Sequence, residues 1–239
     1  IKRVTQELGG KSANIILEDV ADFAKAVGGG VASCFGNSGQ SCNAPTRMLV
    51  PAARMTEAIE VAKVAAAKAT VGDPQDDTTR LGPVVSEIQY TKIQGLIAKG
   101  VEEGAELIAG GTGRPEGLDK GYYVQPTVFA NVTNDMTIAR EEIFGPVLSI
   151  IAYKNEEDAV RIANDTNYGL ASYFYSQNVS RCWKVAEELE YGMVGINEGL
   201  ISTEVAPFGG IKFSGIGREG SKYGIEDYLD VKYMCFGNI

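Results

Sequence analysis

The sequence predicts an α/β fold, a mostly parallel sheet with helices on both faces and a further strand at the C-terminus. Three observations carry this. Strand-like runs alternate with helical stretches from Asn14 to Ile196, the order of strand–helix–strand crossovers. The chain has 239 residues, 44% hydrophobic and 22% charged, enough for a sizeable core in a soluble globular protein. After the alternating unit, Leu229, Val231, Tyr233 and Cys235 interleave with Asp230, Lys232 and Met234, the period-2 pattern of a half-exposed strand.

Asn14 to Leu17 reads as a short buried strand, followed by a helix from Ala21 to Phe35. The run Gly28-Gly29-Gly30 costs helix stability and therefore implies close packing against another backbone. Thr46 to Val50 is strand-like and stops at Pro51. From Arg54 to Ala69 the residues Met55, Ala58, Ile59, Ala62, Ala65, Ala66 and Ala69 share one helical face, an alanine-rich stripe suited to core packing. Thr70 to Thr79 is a polar turn region; Glu87 to Lys99 is a helix with Ile93, Leu96 and Ile97 inward. Glu106 to Ala109 is a short strand, and Gly110 to Gly121 a glycine-rich charged loop. Tyr122 to Phe129 has strand composition interrupted by Pro126. Then come strand Val147 to Tyr153, helix Glu156 to Asn164, strand Leu170 to Tyr175, helix Val179 to Leu189 and strand Gly192 to Ile196. The terminal strand has no sequential partner.

A net charge of −9 excludes a phosphate-binding surface of clustered Lys and Arg, so nucleic acid is not an expected partner. No apolar run approaches the ~18 residues that span a bilayer, and no signal-peptide pattern opens the chain. No membrane partner is expected, and with four unpatterned cysteines at 34, 42, 182 and 235 a reducing cytoplasm is the expected location. With no histidine and no C-x-x-C pair, zinc lacks a ligand set, and no metal is expected.

The chemistry concentrates at Gly36-Asn37-Ser38-Gly39-Gln40-Ser41-Cys42, where a thiol follows a loop of small and amide residues. An unperturbed thiol with a pKa near 8.5 is only a few per cent ionised at neutral pH, so it needs a base or N–H donors that favour the anion. Without histidine a carboxylate must move the proton, and Glu7 in Gln6-Glu7-Leu8-Gly9-Gly10-Lys11-Ser12 is the candidate. The other cysteines read as small buried hydrophobes, and Lys11 is not read as a site residue. Gly215-Ile216-Gly217-Arg218-Glu219-Gly220 matches G-x-G-x-x-G, but it follows a polar loop rather than opening a strand–helix unit. It reads as a flexible tail turn.

Four motifs in order, Glu-Leu-Gly-Gly-Lys-Ser at 7–12, Gly-Gln-Ser-Cys at 39–42, Glu-Glu-Ile-Phe-Gly-Pro at 141–146 and Pro-Phe-Gly-Gly-Ile-Lys at 207–212, resemble those of the aldehyde dehydrogenase superfamily. The resemblance covers the whole chain but implies about half of an enzyme. It divides the chain into a catalytic domain, 1–210, and a tail, 211–239, whose strand joins a neighbouring subunit's sheet, so a homodimer or homotetramer is implied. The dinucleotide-binding domain would precede Ile1, and an opening without Met close to a catalytic motif fits a fragment.

By that resemblance Cys42 is the nucleophile and its own backbone N–H one oxyanion donor. Glu7 is the general base that hydrolyses the thioester, and its presence favours release of a carboxylic acid over transfer to coenzyme A. Glu219 matches a glutamate that relays the hydrolytic proton. NAD or NADP is the implied cofactor, its ribose hydroxyls held by Glu142 and its nicotinamide packed by Phe144. Leu8 and Gly9 line the nicotinamide pocket through their backbone, and Gln89 and Lys92 lie near the ribose. The substrate is a small aldehyde, and Phe208 lines its channel. The segment 198–208 and the tail resemble succinate-semialdehyde dehydrogenases, in which the serine matching Ser202 contacts the distal carboxylate. That branch carries an arginine where this chain has Gly36, so a carboxylate would lack its cationic partner. Its second cysteine, part of a redox switch, is replaced by Ala44. Two readings stand beside this one: an incomplete fragment serving as an assembly domain, and a cysteine esterase using the same pair.

Overall fold

The computed structural model describes residues 1–238. The chain enters through a two-residue strand β1, Gln6–Glu7, and then β2, Ala13–Ile16, buried at every position. Asp22 accepts a hydrogen bond from the Lys25 N–H and so starts helix α1, Phe23–Phe35. Strand β3, Arg47–Pro51, leads through a 3₁₀ turn into α2, Met55–Ala67. Ser86 caps α3, Glu87–Glu102, which runs past the expected Lys99 and is followed by β4, Glu106–Ala109. The rest are β5, Thr127–Val132; α4, Thr137–Arg140; β6, Val147–Tyr153; α5, Glu156–Asn164; β7, Ala171–Tyr175; α6, Val179–Glu188; and β8, Met193–Ile196. A last short strand, β9, spans Gly215–Ile216.

Seven strands form one sheet in the order β4-β5-β6-β3-β2-β7-β8, parallel except for the β4–β5 pair. Strand alternation splits the core in two. Ala13, Ile15 and Leu49 face α3, α5 and α6, where Ile93, Ile97, Ala159 and Val185 are buried. Ile16, Met48 and Val50 face α1 and α2. Helices therefore cover both faces, as the alternating sequence implies.

Three expectations need correction. The strand expected over Tyr122 to Phe129 is Thr127–Val132, because Pro126 has no N–H to donate to a ladder. Gly215 and Ile216 are not a free tail turn but pair antiparallel with Glu7 and Gln6. The glycines of α1 do not meet another backbone: a Cβ on Gly30 would strike the Asn14 and Met48 side chains at 2.4 and 2.6 Å. Residues 229–238, expected to join a second copy's sheet, form no strand within the single chain, and Val231 and Tyr233 are 96% and 86% exposed.

Arg47 locks the layers together. It is fully buried and donates to the carbonyls of Lys11, Ile162 and Ala163, to Asn134 Oδ1 and to the Tyr191 hydroxyl, joining β2, β3, α5 and the approach to β8.

Candidate active site

The loop carrying Cys42 is built by backbone constraint. Past Phe35 the chain turns through left-handed conformations at Asn37, Ser38 and Gly39 (φ 51°, 56° and 72°). A Cβ on Gly39 would lie 2.1 Å from the Gly145 carbonyl, so only glycine fits. Ser38 Oγ donates to the Gly82 carbonyl at 2.8 Å, and Gln40 Oε1 accepts the Val85 N–H at 2.9 Å. Two separate segments, 82–85 and the turn at Gly145, thus fix the loop before Cys42.

Cys42 is half-buried and packs with Ile201 and Phe208 against Leu170, Ala171, Tyr173 and Met193. Burial, reinforced by the neighbouring Glu7 carboxylate, pushes the thiol up to about 12, while the N–H groups of Asn43 and Cys42 itself favour the thiolate. The resting nucleophile is the thiol. The Glu7 oxygen Oε1 is buried and accepts no hydrogen bond. The structure therefore brings the two residues with the strongest chemical case side by side.

Glu7 is held from the far end of the chain. Gly215 pairs with it, Leu8 N–H donates to the Ser214 carbonyl at 3.1 Å, and the buried Ser214 Oγ donates to the Gly9 carbonyl at 2.7 Å. Behind Glu7 a cavity of about 40 Å³ is also lined by Phe208, Arg218, Glu219 and Asp227. Glu219 and Phe208 exchange both backbone hydrogen bonds, at 2.7 and 2.9 Å, so Glu219 joins the site partly by fixing Phe208.

Gly9 and Gly10 are required by close approach rather than by φ. A Cβ on Gly9 would meet Glu142 Oε2 at 2.3 Å, and one on Gly10 the Cys42 carbonyl at 2.4 Å. The Gly10 N–H donates to Glu142 Oε1 at 2.9 Å. Leu8, Gly9 and Glu142 share a cavity of about 670 Å³ with Tyr168 and Phe213. The Glu142 loop is strained, Phe144 standing at φ 55°, and is held from below. Gln89 Nε2 donates to the carbonyls of Ile143 and Phe144 at 2.9 and 2.8 Å, and Lys92 Nζ to that of Glu142 at 2.8 Å. Gln89 and Lys92 thus spend donors on positioning Glu142 and Phe144.

Ser202 is exposed and lines a third cavity of about 1170 Å³ with Ser41, Asn43 and Gly36. Asn43 Nδ2 donates to Ser202 Oγ at 3.2 Å, Ser41 Oγ donates to Asn43 Oδ1 at 2.7 Å, and the Tyr173 hydroxyl donates to the Asn43 carbonyl at 2.9 Å. Sequence reasoning missed Asn43, Tyr173 and Ser214, because only the fold brings them to the loop. It also passed over Lys11, which is 1% exposed and has no hydrogen-bond partner for Nζ. Burial, with repulsion from Arg47, lowers this lysine to about 7. Among the described residues no group of three or more Cys, Asp and Glu is arranged to hold a metal ion.

The family model described as the aldehyde dehydrogenase family matches residues 1–234. The chain is 52% identical to a 3-succinoylsemialdehyde-pyridine dehydrogenase of a Pseudomonas species, over 97% of this chain and 48% of that protein. It is 45% identical to a mitochondrial succinate-semialdehyde dehydrogenase of Oryza sativa, over 100% of this chain and 45% of that protein. A mutant aldehyde dehydrogenase C of Pseudomonas syringae, solved with NAD+ and octanal, superposes with a TM-score of 0.93 at 50% identity, covering 96% of this chain and 47% of that one. The chain spans about half the length of these relatives.

Proposed function

The chain belongs to the aldehyde dehydrogenase family, and from that premise we propose that it carries the nucleophile and base of an NAD- or NADP-dependent oxidation of an aldehyde to a carboxylic acid. The juxtaposition of a protonated Cys42 and a Glu7 carboxylate with one buried, unpartnered oxygen supports this most directly.

The chemistry follows from the two groups. Glu7 accepts the Cys42 proton as Sγ attacks the aldehyde carbon, because a thiol held near 12 supplies almost no thiolate by itself. The oxygen of the thiohemiacetal takes negative charge beside the Cys42 N–H, a fixed donor. The cavity lined by Leu8, Gly9 and Glu142 fits a nicotinamide riboside, since Gly9 lets the Glu142 carboxylate pack against the backbone, where the Gly10 N–H holds it at the cavity wall. Bound there, NAD+ or NADP+ would supply the hydride acceptor that converts the thiohemiacetal to a thioester. Once Glu7 has released the first proton to solvent, it removes a proton from water as the water oxygen attacks the thioester; the C–S bond breaks and the Cys42 sulfur takes that proton back from Glu7. Glu219, on the cavity behind Glu7, is suited to relay the proton outward.

We assign the substrate to small aldehydes or semialdehydes, with Phe208 packed beside Cys42. The alternating, exposed residues 229–235 suit a strand added to a second copy's sheet, giving a homodimer or homotetramer. A cytoplasmic location is part of this reading; among the described residues no helix is long and apolar enough to cross a membrane.

The test is turnover of p-nitrophenyl acetate, with intact-mass detection of acyl-enzyme, beside Cys42→Ala and Glu7→Gln. Cys42 is expected to acylate, and Glu7→Gln to slow deacylation by roughly 10²–10⁴-fold so that the acyl form accumulates. Equal behaviour of the parent and Cys42→Ala would replace this reading with that of an assembly domain. Steady ester turnover without NAD supports a cysteine esterase activity on the same pair.

A further inference from the structure

We infer that Tyr173 is a positioning residue for the oxyanion donor: through the turn that carries Cys42, its hydroxyl orients and polarises the Cys42 N–H. The inference rests on the reading of Cys42 as the nucleophile and names a residue that sets the efficiency of that same site.

The peptide groups of the turn carry the connection. The Ala44 N–H donates to the Ser41 carbonyl at 3.1 Å and closes a turn with Cys42 and Asn43 at its centre. The Tyr173 hydroxyl donates to the Asn43 carbonyl at 2.9 Å. That carbonyl and the Ala44 N–H belong to one peptide group; the Ser41 carbonyl and the Cys42 N–H belong to another. A single path therefore runs from the phenol, through two peptide groups, to the Cys42 N–H. A peptide group is planar, so a bond held at its carbonyl fixes the direction of the N–H across it. Donation to the carbonyl also strengthens that N–H as a donor, and the polarisation adds along the path. The peptide between them rests its Cys42 carbonyl on Gly10, where a Cβ would come within 2.4 Å. Among the described residues the Cys42 N–H is given to no carbonyl and lies against its own sulfur.

The phenol is placed by the sheet rather than by the loop. Tyr173 is 2% exposed on β7, opposite Asn14 of β2 on one side and Gly195 of β8 on the other. Gly195 makes room for the ring, since a Cβ there would lie 2.8 Å from Tyr173 Cδ1. Burial pushes the phenol's pKa up, so it stays protonated, and a donor, through the neutral range. The segments at 82–85 and Gly145 fix the loop before Cys42; Tyr173 fixes the turn after it. The carbonyl oxygen of a substrate gains charge as sulfur attacks, and a donor already aligned with it needs no reorganisation in the transition state. Tyr173 acts through these peptides and is therefore a positioning residue.

The experiment compares two reactions at Cys42, each followed by mass mapping of its peptide: acylation by p-nitrophenyl acetate and alkylation by iodoacetamide. In the first, Sγ bonds to the acyl carbon and p-nitrophenolate leaves; in the second, it bonds to the methylene carbon and iodide leaves. In both the thiol proton goes to Glu7. Only acylation puts negative charge on an oxygen beside the Cys42 N–H, so the ratio of the two rates reads the oxyanion donor and cancels thiolate formation. Tyr173→Phe, which removes one oxygen, is expected to lower that ratio about 3- to 10-fold, the effect of one net hydrogen bond. Tyr175→Phe, the same change two residues along β7, is expected to leave it unchanged. In the acyl-enzyme of Glu7→Gln the stretching frequency of the isotope-labelled thioester carbonyl should rise when Tyr173→Phe is added, a signature that loss of packing alone would not give. Gly195→Ala keeps the hydroxyl but crowds the ring; it should lower the ratio too, and it decides the question if Tyr173→Phe does not fold. A ratio unchanged in Tyr173→Phe, or an equal fall in Tyr175→Phe, would overturn the role of Tyr173 while leaving Cys42 as the nucleophile. Failure of Cys42 to acylate in the parent chain would remove the underlying reading and this role with it.

Discussion

Lys11 shows how far the environment of one residue can depart from its type. It is 1% exposed, its Nζ has no partner, and burial beside Arg47 lowers it to about 7. In the unfolded chain the amine stays protonated up to about 10.5. Folding therefore releases a proton between those values, and its cost is full below about pH 7, fades as the pH rises from there and vanishes above the unfolded pKa. Lys11→Met should stabilise the chain at pH 7 by at least about 1 kcal/mol, roughly 2–4 °C in Tm, and the gain should shrink toward pH 10 in chemical denaturation. A gain that grew with pH would mean that the lysine is held as a cation. None of this was legible in Gly9-Gly10-Lys11-Ser12, where Lys11 is not read as a site residue and no neighbour marks it as buried. Cys42 and Glu7 were legible, because the absence of histidine leaves few ways to deprotonate a thiol. Asn43 was not, because its bond to Ser202 joins residues 159 positions apart.

The nucleophile loop is an element whose glycines have unequal duties. Gly39 stands at φ 72° with the Gly145 carbonyl where its Cβ would be, whereas Gly36, at φ −49°, has open space. Gly39→Ala should cost about 2–5 kcal/mol, combining left-handed strain with backbone displacement, and should slow Cys42 acylation. Gly36→Ala should leave Tm nearly unchanged. Thermal denaturation of the two variants tests whether Cys42 is presented by backbone geometry. The same contrast explains which elements the sequence revealed. Long periodic elements such as α2 and α3 were readable because many side chains repeat the signal. Strands β1 and β9 have two residues each and no period at all, yet they carry the base.

At the scale of the whole molecule, Arg47 ties together segments that the sheet alone would leave as neighbours. Its guanidinium and the carbonyls it satisfies are buried, so Arg47→Met would strand the carbonyls of Lys11 and Ile162 and leave that of Ala163 with the Tyr191 hydroxyl alone. A loss of about 3–5 kcal/mol is expected by urea denaturation, and an unchanged midpoint would show that those carbonyls find other donors. The sequence disclosed the parallel sheet through its alternation, but it gave no sign that an arginine opening a strand is a central buried tie. The terminal strand was legible as a pattern and is still unpaired, because period-2 alternation specifies a face and not the edge it joins.

The pairing of Glu7 with Gly215 also sets an order of events during synthesis. The contacts that fix the loop before Cys42 involve Gly82, Val85 and Gly145, all made well before Gly215. At about 5–20 residues per second, the stretch from Gly145 to Gly215 takes roughly 4–14 s to translate. For that interval the loop can be set while no carboxylate is seated to take the thiol's proton. Without that base a thiol yields little thiolate, so the nucleophile stays quiet until Gly215 arrives to pair with Glu7.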